Sequence, residues 1–105
     1  MIININSGNF DQAVLKSDKP VLVDFYAKWC SPCQQMSLVV DEIAKEMDGK
    51  INVGKVDVDA ESELARKFSV MSIPTLMLFS DGRPIKRVSG YRDISQLTAL
   101  MAEVI

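Results

Sequence analysis

The run Val21-Leu22-Val23-Asp24-Phe25-Tyr26-Ala27 constrains the fold more than any other stretch of this chain. A strand with one face in water alternates apolar and polar residues. This one is almost continuously apolar, β-branched and aromatic, as a strand covered on both faces in a parallel sheet would be. Such a sheet needs helices above and below it. Directly after the run come Trp29-Cys30-Ser31-Pro32-Cys33 and then Met36, Val39, Val40, Ile43, Ala44 and Met47 at helical spacing. Asp41, Glu42, Lys45, Glu46 and Asp48 occupy much of the opposite face of that helix, and Gly49 ends it.

The remaining elements follow the same logic. Met1 to Ile5 alternates weakly as a short strand. Asn9 and Gln12 are spaced as an N-cap and its N3 partner for a short helix reaching about Lys16. Ile51 to Val58 is a strand with Ile51, Val53, Lys55 and Asp57 on one face. Asp59 to Phe68 is a short helix with Leu64, Ala65 and Phe68 inward. Thr75 to Phe79 and Ile85 to Ser89 flank Asp81-Gly82, a tight-turn pair, and form an antiparallel hairpin. Asp93 with Gln96 starts a last helix that buries Ile94, Leu97, Leu100, Met101 and Val104. The order is β-α-β-α-β-α-β-β-α, an α/β three-layer sandwich with a central mixed sheet. At 105 residues it is one domain, 1–105. With 48% hydrophobic residues and 9 Gly plus Pro it can bury a core without staples.

Composition removes several functions. Twelve basic and 14 acidic residues give a net charge of -2, which disfavours a phosphate-binding surface, so no nucleic acid is expected. No apolar run is long enough to span a bilayer, and no membrane partner is expected. The first residues lack the basic and apolar regions of a secretory signal, so a cytoplasmic protein, and a monomer, is expected. Histidine is absent, which removes imidazole acid–base chemistry and His-ligated metals. No cofactor or metal is called for.

The chemistry therefore falls to two cysteines three residues apart. A disulfide between them closes a tiny ring and constrains little of the unfolded chain. At the N-terminus of a helix, unpaired N–H groups and the helix dipole favour an anion. Cys30 would sit there with a lowered pKa and Cys33 one turn inside, more deeply buried. Cys30 reads as the attacking thiolate, Cys33 as the resolving thiol, and Pro32 suits the first helical turn. Half of a zinc site and two inert core thiols are the competing readings. The first lacks a second pair of ligands, and the second is opposed by the exposed Ser-Pro between the cysteines. A CxxC beside a βαβ pattern is a redox signal.

Over essentially its whole length the chain resembles the thioredoxin family. The resemblance rests on Val23 to Cys33, Lys55-Val56-Asp57-Val58-Asp59, Ile73-Pro74-Thr75-Leu76, Phe79-Ser80-Asp81-Gly82 and Gly90, in that order. It implies a sheet flanked by four helices and a general reductase of protein disulfides, an enzyme recharged by a thioredoxin reductase that is an NADPH-dependent flavoprotein or ferredoxin-linked. It implies roles for single residues too. Asp24, which could otherwise be a strand-end aspartate held by backbone N–H groups, becomes a buried proton acceptor for Cys33. Lys55, otherwise a surface lysine, becomes the lysine paired near Asp24 that tunes its charge. Ile73–Pro74 becomes a cis peptide facing the thiols. Trp29, Ser31, Pro32, Ile73 and Gly90 become the surface that binds substrate. The chain departs from the family's common pattern at Ser31 (often Gly), Gln34 (Lys), Tyr26 (Trp), Leu38 (a helix-kinking Pro) and Ser72 (Gly). These departures bear on potential and partner choice. A binding module or accessory subunit on the same fold, with incidental redox chemistry, is the alternative.

Overall fold

The central strand explains the arrangement. In the computed structural model, which describes residues 2–102, β2 (Val21–Tyr26) is buried along all but its last residue. It pairs in parallel with β3 (Asn52–Asp57) on one side and antiparallel with β4 (Thr75–Ser80) on the other. Outside these lie β1 (Ile2–Asn4), parallel to β3, and β5 (Arg83–Ser89), antiparallel to β4. The sheet order is β1-β3-β2-β4-β5. The β4–β5 hairpin closes through Asp81 and Gly82 at φ 54° and 78°, left-handed values that an Asp-Gly pair tolerates.

Two layers of helix cover the sheet. On one face, α1 (Ser31–Glu46) and α3 (Ile94–Met101) bury Met36, Val40, Ile43, Leu97 and Met101 against Leu22, Val53, Leu76 and Leu78. On the other face, α2 (Ser62–Lys67) and a short helical turn at Asp11–Leu15 pack Leu64, Phe10 and Val14 against Val21, Val23, Phe25, Met77 and Phe79. The three-layer α/β sandwich read from the periodicities is the observed architecture. Met1 and Val104 lie outside the described residues.

One local expectation fails. Asn9 does not cap the first helix with Gln12. Its Oδ1 accepts the Asn6 N–H at 2.8 Å and its Nδ2 donates to the Asn4 carbonyl at 2.9 Å. Asn6 answers by accepting the Asn9 N–H on its own side chain at 2.9 Å. With the side chain used to tie the loop to β1, the helix starts without a side-chain cap and is a wide, underwound turn. Lys16 N–H bonds Asp11 C=O, five residues back, at 2.9 Å. At α3 the same sequence signal holds. Asp93 Oδ1 accepts the Gln96 N–H, and Gln96 Oε1 accepts the Asp93 N–H, both at 2.9 Å.

Candidate active site

The site stands where β2 ends and α1 begins. After Ala27 the chain turns, with the Cys30 N–H on the Ala27 carbonyl at 3.2 Å. Cys30 is the N-cap of α1, in an extended conformation at φ -90° and ψ 112°. Its Sγ accepts the backbone N–H of Cys33 at 3.2 Å, the contact a side-chain oxygen makes at an ordinary N-cap. Its carbonyl takes the Gln34 N–H, which starts the helix. Pro32 falls in the first turn, where its missing N–H leaves no bond unmade. The two sulfurs form a disulfide, with Cα atoms 5.2 Å apart. Cys30 is 5% and Cys33 2% exposed, so the expected difference in depth is narrow. Ser31 and Pro32 are exposed.

Three segments surround the pair. Tyr26, Val58 and Ile73 pack against the small cluster of Ala27, Cys30 and Cys33. The Ile73–Pro74 peptide is cis and Pro74 is buried. The loop before it is tied down by Thr75 Oγ1, which donates to the Ser72 carbonyl at 2.6 Å. Gly90, at φ 87°, donates its N–H to the Pro74 carbonyl at 2.8 Å and so fastens the end of β5 beside the proline. Trp29 stands 72% exposed, its indole N–H held by Asp59 Oδ2 at 2.8 Å. Two further exposed apolar side chains flank this surface, Met71 ahead of Ile73 and Tyr91 after Gly90. Of the departures from the common pattern, Leu38 is exposed in the middle of α1, which runs unbroken through it. Tyr26 and Leu38 border a cleft of about 290 Å³ beside Cys33.

Asp24 is the one buried carboxylate, 0% exposed, among the described residues. Strand alternation places it with Leu22 on the face covered by α1. Neither of its oxygens has a hydrogen-bond partner among the described residues. Burial pushes its pKa from 3.8 up to about 7; the Lys55 ammonium pulls it back part of the way, and the Asp41 carboxylate adds to the rise. The Tyr26 phenol is also pushed up, by burial first and then by Asp57 and Asp24.

No hydrogen bond joins Lys55, the lysine expected to tune Asp24, to that carboxylate. Lys55 is the cross-strand neighbour of Asp24, but its Nζ donates to Asp41 Oδ1 at 2.8 Å and Ser37 Oγ at 2.5 Å. It acts on Asp24 through its field and not through a bond. The sequence reading placed Asp41 on the solvent face and did not single out Ser37. Their spacing of four residues on α1 was the available signal, since it puts both on one stripe of the helix.

These features and the comparisons with known proteins agree. A family model described as Thioredoxin matches residues 1–103. The chain belongs to the thioredoxin family. It is 46% identical over 103 residues to the thioredoxin of Alicyclobacillus acidocaldarius subsp. acidocaldarius, covering 98% of this chain and 97% of that one. It is 46% identical to a thioredoxin of Mycobacterium tuberculosis, over 98% of this chain and 89% of that one. With the thioredoxin of Pseudomonas aeruginosa it shares 43% over 100 residues, 95% and 93% of the two chains. This family member is a thiol–disulfide oxidoreductase, a disulfide reductase that works through the Cys30–Cys33 couple.

Proposed function

We propose that the protein is a general reductase of protein disulfides in which Cys30 attacks and Cys33 resolves. The observation that carries this assignment is the Cys33 N–H directed at Cys30 Sγ at the start of α1. A thiolate at Cys30 would keep that donor and the dipole of a 16-residue helix. Cys33, inside the helix, has its own N–H engaged with Cys30.

The reaction then runs in two exchanges. Cys30 thiolate attacks one sulfur of the substrate disulfide and expels the other as thiolate, leaving a mixed disulfide. Cys33 gives its proton to the Asp24 carboxylate and attacks Cys30 Sγ. The Cys30–Cys33 disulfide forms, and the second substrate sulfur leaves as thiolate and takes up a proton. Two electrons pass from protein to substrate. A carboxyl with a pKa of about 7 is poised to accept a proton and return it at neutral pH. An extended substrate segment would lie across Trp29, Ser31, Pro32, Ile73 and Gly90, with the cis-Pro74 turn presenting backbone groups for pairing. Lys55 tunes Asp24 through space.

Recycling belongs to the same proposal. A relative from Mycobacterium leprae is named as a bifunctional thioredoxin reductase/thioredoxin; it is 44% identical over 103 residues, and this chain covers 22% of it. That joined name supports a thioredoxin reductase as the electron donor; a reducing compartment such as the cytoplasm is part of the proposal.

The test is reduction of an insulin-type disulfide by dithiothreitol. The protein should accelerate it, and C30S should abolish the acceleration. C33S should trap a mixed disulfide through Cys30. Trapping in C30S instead would reverse the two roles.

A further inference from the structure

Lys55 and Asp24 stand side by side in register on β3 and β2, under α1. A buried carboxylate without a partner is the strongest counter-charge a nearby ammonium can find in a low-dielectric interior. Yet both observed bonds of Lys55 Nζ go the other way, to Ser37 Oγ and Asp41 Oδ1 on α1. The Lys55 side chain is only 16% exposed, so this bond is made at the edge of the core and not out in solvent.

We propose that Asp41, assisted by Ser37, is a positioning residue for the disulfide chemistry: it ties the Lys55 ammonium to α1 and keeps it from pairing with the Asp24 carboxyl. The inference rests on the reading of Asp24 as proton acceptor for Cys33. A direct Lys55–Asp24 pair would hold Asp24 ionised well below neutral pH, since an opposite charge within ~4–6 Å lowers a carboxyl by about 1–3 pKa units. Such a carboxylate takes a proton poorly at pH 7. The tie leaves Asp24 without an ion-pair partner and able to cycle.

The charged groups bearing on Asp24 are Lys55 from β3 and Asp41 from α1. Tyr26 on its own strand is the other titratable group coupled to it, and Tyr26 in turn feels Asp57 of β3. From β4 the apolar Leu76 stands opposite. Two of these groups, Lys55 and Asp41, touch each other, so changing Asp41 changes both its own field and the place of the lysine.

The experiment follows the Asp24 carboxyl by carbon NMR of the full chain across pH. In D41N the Asp24 midpoint should fall by about one unit or more, because Lys55 is released toward it. S37A should move it the same way by less, and D41E should restore it. E46Q removes an exposed carboxylate from the same helix and should leave the midpoint in place. In a K55M background the D41N shift should shrink, the non-additivity expected when one residue acts through another. An unmoved midpoint in D41N, an equal shift in E46Q, or a full D41N shift without Lys55 would each overturn the proposal. The pH profile of mixed-disulfide release should follow the midpoint in every variant. If D24N leaves release unchanged, the proton-acceptor reading fails, while the NMR shift in D41N still decides whether the tie exists.

Discussion

On one face of the sheet, under α2 and the first helical turn, Phe10, Phe25, Phe68 and Phe79 pack ring against ring at centroid distances of 5.3 to 6.4 Å. Two of these contacts, Phe10–Phe79 and Phe68–Phe79, are edge-to-face, the arrangement that ring quadrupoles favour. On the other face, under α1 and α3, an aliphatic layer encloses Asp24 with both oxygens unpartnered among the described residues. The same strand β2 serves both, with Val21, Val23 and Phe25 on one side and Leu22 and Asp24 on the other. The difference teaches where stability and chemistry are kept. The aromatic face holds the sheet. The α1 face gives up stability to bury one ionisable group that has no hydrogen-bond partner among the described residues.

Substitutions on the two faces should therefore act in opposite directions. Phe79→Ala removes a ring that is 1% exposed and meets two others. It should cost about 3–5 kcal/mol in urea unfolding, while turnover per folded molecule stays unchanged. A loss of turnover in the folded fraction would break the comparison. Asp24→Asn should do the reverse. The folded pKa of Asp24 lies near 7 against 3.8 for a free carboxyl, so the native state holds the proton more tightly than the unfolded chain. The stability from that proton is complete below pH ~4 and is lost as pH rises through about 7. At pH 8 the variant should be the more stable by roughly 4 kcal/mol, and near pH 4 the gain should vanish. Its disulfide reduction at pH 7 should slow by on the order of ten- to a hundredfold. A variant that is stabilised but not slowed would separate the two roles of the α1 face.

The smallest effect concerns neither face. Asp93 caps α3 from solvent, and its bonds to the Gln96 N–H and the Ser95 hydroxyl hold its carboxyl below the usual range. Stability from a lowered pKa is present at neutral pH and lost as pH falls through the acid range. Asp93→Ala should lower the thermal midpoint slightly at pH 7, not at low pH, and leave turnover alone.

Much of this was legible along the chain because local patterns and tertiary demand agree. The almost continuous apolar run marked β2 as the covered strand, Asp81-Gly82 the hairpin, and Asp93 with Gln96 the start of α3. Asn9 misled because its side chain found partners at Asn6 and Asn4 that only the folded loop supplies. For Lys55, strand periodicity set the face, but which groups its ammonium bonds, Ser37 and Asp41, depends on how α1 lies across the sheet. Met71 and Tyr91 showed no pattern of their own, since exposure of a lone apolar residue leaves no period to read.

The sequence by itself determined the element order, the layered architecture and the redox couple, because periodicity, turn residues and the spacing of two cysteines are properties of neighbours. The tertiary structure decided the electrostatics of the site. The tether of Lys55 joins it to groups 14 and 18 residues away along the chain, and the pKa of Asp24 arises from burial among separate segments, where a few ångströms set which charge is allowed.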